Sequence, residues 1–116
     1  MIVIEEQGDL LKVHVYGELT LADYHELETA VTGGLKTAPK VRLLMDLTQM
    51  SGFTLDVAWE DIRFTRAHPR DFRRVAVVTD NQWLTWVGWL SAAFTDAEVE
   101  TFDESADAEN WLAETV

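Results

Sequence analysis

Side chains able to do chemistry are sparse in this chain, and their spacing limits what they can do. The histidines are His14, His25 and His68, and they fall on a predicted strand, a predicted helix and a loop. None forms an H-x-x-x-H or H-E-x-x-H pair that would set two ligands on one helix face, so the spacing predicts surface histidines and no metal centre. There is no cysteine, and therefore neither a disulfide framework nor a thiolate nucleophile. Ser51 and Ser91 lack the G-x-S-x-G elbow of a hydrolase. The only glycine pair, Gly33-Gly34, stands at a predicted helix end and lacks the G-x-G-x-x-G or G-x-x-x-x-G-K pattern of a nucleotide site. No catalytic residue, cofactor or metal is expected, and the chain is read as a non-enzyme.

Two stretches carry more. In "LLMDLTQMSGFT" the hydroxyls Thr48, Ser51 and Thr54 follow a buried strand expected to end at Asp46-Leu47. Phosphate on Thr54 would suit the N-terminus of the next helix. Its plainer role as an N-cap, worth ~1 kcal/mol, needs no kinase and is favoured. The second stretch is the following helix, where Asp61 neighbours Val57 and Thr65 one turn either way. A partly buried carboxylate there would gain a raised pKa and general-acid character. A hydrogen bond to a nearby donor is the favoured reading. Glu60 with Arg63 or Phe64 reads as plain helix surface.

These residues must be positioned by a regular scaffold. "MIVIEE" and "LLKVHVYGEL" are strand-like and separated by a turn at Gly8. The second alternates, with Leu11, Val13 and Val15 facing one way and Lys12, His14 and Tyr16 the other. Gly17 is expected to end it. Thr20 and Asp23 form a capping-box signal for a helix whose Leu21, Tyr24, Leu27 and Val31 share a side. "KVRLLMDL" reads as a strand covered on both faces. The next helix is expected to turn Leu55, Ala58, Trp59 and Ile62 to the core, with Val57 and Phe64 nearly opposite. "RVAVVTD" is a short buried strand, "NQWLTWVGWLSAAF" a helix, "AEVETF" the last strand and "DESADAENWLAE" a closing helix. The order ββαβαβαβα implies one α/β domain over residues 1–116. Its sheet is five-stranded and mostly parallel, with an opening antiparallel strand, and helices pack on the sheet through right-handed crossovers.

Composition narrows the partners. The 116 residues carry 21 acidic against 9 basic side chains, a formal charge of −12. No Lys or Arg follows Arg74. Such a surface repels phosphate backbones and anionic lipid heads, so nucleic acid is not an expected partner. The exception is "RFTRAHPRDFRR", with Arg63, Arg66, Arg70, Arg73 and Arg74, read as a solvated helix end in preference to an anion or partner site. No apolar run approaches the ~20 residues of a membrane span. The acidic start "MIVIEEQGD" does not look like a signal peptide, and a cytoplasmic location is the expectation.

The second half carries a family likeness. "FTLDVAWEDIRF", "DFRRVAVVTDNQWLTW" and "DAEVETFDESADAENWL" resemble the SpoIIAA-like family, a branch of the STAS/SEC14-type fold. "GELTLADYHEL" and "LLMDLTQMSGFT" fit its first half more loosely. The resemblance implies a small cytoplasmic domain of largely unknown function, with a suspected capacity for lipids or other apolar ligands. Asp61 resembles an acid recurring in that helix of the family. Antagonist-type STAS domains carry a phosphorylatable Ser or Thr between this strand and helix, but the Asp-Ser-Ser-Gly type of sequence is missing here.

The resulting expectation is a STAS-like binding or regulatory module working through apolar contacts with a partner protein, a second copy or a small apolar ligand. A phospho-switched anti-sigma-factor antagonist is the alternative. In open α/β sheets ligands sit beyond the carboxyl ends of the parallel strands, which here places Met50, Phe53 and Trp83 at an apolar rim. Trp59 and Asp61 join the candidate contacts from the neighbouring helix. Along "WLTWVGWLSAAF", Trp83, Val87, Leu90 and Phe94 form a core stripe with Trp86 beside it. Trp89 falls roughly 100° away, at a homodimer contact, at a ligand mouth, or under the closing Trp111-Leu112. Because the serine signature is missing, phosphopeptide mapping of the protein from its source cell should find Thr48, Ser51 and Thr54 unmodified. Substantial occupancy at any of the three would restore the switch.

Overall fold

The computed structural model describes residues 1–67, 72–79 and 98–114, except the side chains of Ala58, Asp61, Ile62, Thr65 and Arg66. Five strands form one sheet in the order β1-β2-β3-β4-β5. They are β1 (Ile2–Gln7), β2 (Leu10–Leu19), β3 (Val41–Phe53), β4 (Phe72–Val78) and β5 (Glu98–Phe102). β1 is antiparallel to β2, and every later pair is parallel. The described helices are α1 (Leu21–Leu35), α2 (Leu55–Ala67) and α3 (Ser105–Ala113). The expected mostly parallel sheet with its opening antiparallel strand is present. The Trp-bearing stretch that includes Trp83, Trp86 and Trp89 lies outside the described residues.

Strand alternation divides the core in two. Leu11, Val13 and Val15 of β2, Leu43, Met45 and Leu47 of β3, and Val75 and Val77 of β4 point to a front face. There they meet Tyr24, Leu27 and Val31 of α1 and Val57 and Phe64 of α2. On the back face, Leu10, Leu44, Ala76 and Val78 pack against Ala108 and Leu112 of α3. β3 is covered on both sides, which is why its sequence is an almost unbroken apolar run. α1 starts as expected, with the Thr20 hydroxyl accepting from the Asp23 N–H at 3.3 Å and the Asp23 carboxylate accepting from the Thr20 N–H at 3.2 Å.

Three local expectations are corrected. Gly17 does not end β2. It adopts φ +69°, a left-handed conformation open to glycine, beside a shift in the β2/β3 register. This bulge lets pairing resume at Glu18 and Leu19. β3 likewise does not stop at Asp46-Leu47. It continues to Phe53, with Gln49 opposite Tyr16 and Phe53 opposite Leu19, so the expected polar loop is mostly strand. Gly33 and Gly34 do not stop α1 but lie in its last turn. A Cβ on Gly34 would come within 3.0 Å of the Val41 side chain, so the glycine allows the helix end to sit against β3.

The largest correction is the roll of α2. Leu55 and Trp59, expected in the core, are 80% and 74% exposed. Val57, Glu60 and Phe64 face inward instead, an i, i+3, i+7 stripe that includes an acid. Its burial is made tolerable by pairing, as described below.

The back face is held by charge. Arg42 forks onto Asp9, with Nη2 2.6 Å from Oδ1, and also donates from Nη1 to the Leu112 carbonyl at 2.9 Å. This fork holds the Asp9 carboxyl below its usual range, against the opposing effect of burial. Arg74 donates to the Trp111 carbonyl at 2.8 Å, lies 4.5 Å from the Trp111 ring centroid and pairs with Glu98. Lys12 pairs with Glu109. The last turn of α3 has no basic residue of its own, and the two sheet arginines supply cations to its negative end. Replacing Arg42 with Ala should cost about 2 kcal/mol, in line with the loss of charged hydrogen bonds. Lys should recover little of this because an ammonium cannot fork. Urea denaturation reads both, and full stability in the Lys variant would show that the fork is dispensable.

Candidate functional site

Where α1 crosses α2, four ionisable side chains meet. His25 and Glu28 come from α1, one helical turn apart, and Glu60 and Arg63 come from α2 with the same spacing. Both pairs project toward the crossing because residues at i and i+3 share a helix face. Below them, Tyr24 and Phe64 meet edge to face, with centroids 6.3 Å apart and planes at 87°, and this contact fixes how the helices approach.

Glu60 is the centre of the group. It is 9% exposed, and a carboxylate so far from water must be compensated. Arg63 compensates with a fork, Nε to Oε1 at 2.8 Å and Nη2 to Oε2 at 2.5 Å. His25 Nε2 lies 3.7 Å from Oε2. The Arg63 hydrogen bonds hold the Glu60 pKa down to about 2, aided by a hydrogen bond shared with the Glu28 carboxyl and opposed by burial. Ligand atoms of His25, Glu28 and Glu60 lie within 4.8 Å of one another. A groove of about 450 Å³ opens beside them, lined by His25, Glu28, Thr29, Thr32, Gly33 and Lys36. A second groove of about 520 Å³ runs from His25 toward β1, with Ile4, Ala22 and Ala30 on its walls.

The residues anticipated from sequence are dispersed. Met50 is 3% exposed and belongs to the front core. Phe53 is half-buried against the same core. Trp59 stands in solvent on the outer side of α2, one turn from Leu55. Asp61 is on α2 with its side chain outside those described, and Trp83, Trp86 and Trp89 lie outside the described residues. The Thr54 hydroxyl donates to the Asp56 carboxylate, while its carbonyl accepts from the Val57 N–H at 3.1 Å. His14 contacts Asp46 at 3.2 Å on the back of the sheet, and His68 is outside the described residues. Glu60, expected on the plain surface of its helix, is instead buried at 9% exposure, where Arg63 pairs with it, while the His25 side chain is 56% exposed and Glu28 carried no expectation. Their one sequence signal is the matched i, i+3 spacing in "HELE" and "EDIR", which gains meaning only when α1 and α2 are known to cross.

A family profile described as SpoIIAA-like matches residues 10–113. The chain belongs to the SpoIIAA-like family. Among solved structures, an uncharacterized protein with a SpoIIAA-like fold from Shewanella loihica PV-4 is 28% identical, with a TM-score of 0.75 over 97% of this chain and 92% of that one. The anti-sigma factor antagonist SpoIIAA in its unphosphorylated form superposes with a TM-score of 0.64 at 9% identity, each chain covered in full. An anti-sigma factor antagonist from Mycobacterium paratuberculosis gives 0.63 at 15% identity, over 98% of this chain and 94% of that one. The last two likenesses are of fold. No curated protein matches the sequence. No described helix of this SpoIIAA-like domain is long and apolar enough to cross a membrane.

The depressed Glu60 pKa has a signed consequence. A carboxylate with a lower pKa when folded adds stability that is present above its unfolded value and lost as pH falls toward the folded one. The Glu60 contribution should therefore fade from about pH 4.5 down to about 2. Arg63 is 72% exposed and screened by solvent, so the loss should be roughly 1–2 kcal/mol. Chemical denaturation across that window should show Glu60→Gln lacking this share of the wild-type slope. An identical slope would remove Glu60 from the acid transition.

Proposed function

We propose that this SpoIIAA-like domain is a non-enzymatic binding module that docks a partner protein through the outer side of α2. The observation that carries the proposal is the exposure of Leu55 and Trp59, at 80% and 74%, one turn apart on a helix whose inner side already has its core contacts. Leucine and tryptophan are the side chains a helix gains most by burying, at about 1.5–3 kcal/mol for a leucine. Tryptophan is also enriched among residues that dominate interfaces. Here both are held outward by the roll that buries Glu60. Asp56 and Arg63, both exposed on the same helix, give the apolar pair a charged border of the kind that orients a partner.

The fold comparison supports a protein partner over a substrate. Two structural neighbours are named as anti-sigma factor antagonists. Because the serine signature is missing, the docking works without phosphate on Thr54. Cytoplasmic placement fits the absence of cysteine.

A photo-crosslinking amino acid placed at position 59 in the source cell tests this directly. Irradiation should yield a covalent adduct with one protein, identified by mass spectrometry, and Leu55→Asp should abolish it. No adduct, or an adduct indifferent to Leu55, would overturn the docking surface. Native mass spectrometry of the purified chain would show a retained apolar molecule if the occupant is a small ligand.

A further inference from the structure

We propose that His25, Glu28 and Glu60 form a divalent-metal site joining α1 to α2, suited to Zn²⁺, in which Arg63 occupies the cation position until the metal arrives. The donor set is one imidazole nitrogen and two carboxylates, a mixture that zinc accepts. His25 and Glu28 share a face of α1, and Glu60 reaches the same point from α2, so the three donors surround one position and come from two rigid elements. Their ligand atoms already lie within 4.8 Å of one another. Zinc bonds of about 2.0–2.2 Å require them to draw closer. His25, whose side chain is 56% exposed, can do so by a change of rotamer.

Three protein donors leave a tetrahedral position for water, the arrangement of an open zinc site. The adjoining groove, with His25 and Glu28 on its wall, provides the entry path and room for that water. Glu60 is bound and buried, so it is the fixed member of the set, and the helix crossing keeps it in place.

Arg63 distinguishes this group from scattered surface acids. Its guanidinium forks onto both Glu60 oxygens, yet its side chain is 72% exposed. It can therefore leave for solvent without losing packing. A metal ion must displace it or share Glu60 with it, so Arg63 opposes binding. An adventitious histidine site has no such competitor.

The experiment is calorimetric titration of the whole chain with Zn²⁺ alone, repeated with Co²⁺ and read by visible absorption. The wild type should bind one equivalent with saturable isotherms. His25→Ala, a change on an exposed side chain that keeps the fold, should weaken binding by about tenfold or more. Glu60→Gln should do the same, with circular dichroism confirming that it is folded. Arg63→Met should tighten binding several-fold, because the competing cation is gone. Absence of one-to-one binding, unchanged affinity in His25→Ala, or unchanged or weaker affinity in Arg63→Met would each overturn the site. The result is independent of the docking surface, which the crosslinking experiment tests separately.

Discussion

A single buried acid governs the front of this molecule. Glu60 cannot stay ionised among the residues between α1 and α2 unless a cation is brought to it, and Arg63 does this from the same helix. That pairing is what permits Val57, Glu60 and Phe64 to be the inward stripe of α2. Once the stripe is chosen, geometry dictates the rest. Leu55 and Trp59 must emerge on the other side, and Glu60 must meet His25 and Glu28 of α1. The exposed apolar pair and the polar cluster are thus two results of one rotation.

The back of the sheet meets the opposite problem in a related way. Here a short helix ends over strands that carry arginines, and the arginines satisfy its last carbonyls. Arg42 links Asp9, before β2, to Leu112 near the chain's end. Arg74 links Trp111 to Glu98 at the sheet edge. Among the described residues, the apolar patch under α3 consists of Leu10, Leu44, Ala76, Val78, Ala108 and Leu112, with Phe102 and Trp111 packed against it. Charged hydrogen bonds add to this contact by tying the end of the helix. Two members of the arginine cluster in the sequence have acidic partners, Arg63 with Glu60 at the surface of α2 and Arg74 with Glu98 at the sheet edge.

Much of the scaffold was legible because it is locally encoded. The alternation of Leu11, Val13 and Val15, the Thr20–Asp23 box and the stripe of Tyr24, Leu27 and Val31 each follow from residues a few positions apart. The continuous apolar run of β3 announced its coverage on two faces. The errors arose where distant residues decide. Reading Leu55 and Trp59 as core ranked α2 by apolarity alone, whereas the fold selected the side on which an acid could be neutralised. The strand beyond Asp46 was hidden by the polar letters of "TQMSG", because its order comes from pairing with a bulged β2 and from Met50 turning inward. The candidate cluster was legible only as two i, i+3 pairs on separate helices. Their convergence is tertiary, and no spacing along the chain reports it.

The sheet has two outer strands, β1 and β5, and the acids on them bear on solubility. Glu5 and Glu6 lie on β1, and Glu98 and Glu100 on β5, all exposed. An outer strand offers unpaired peptide groups to any other strand, and proteins restrain this by charging such edges. Here both edges carry the same sign, so a β1 edge approaching the β5 edge of another copy meets repulsion before backbone bonds can form. The excess of acid therefore protects the sheet from being extended into a ribbon of many chains.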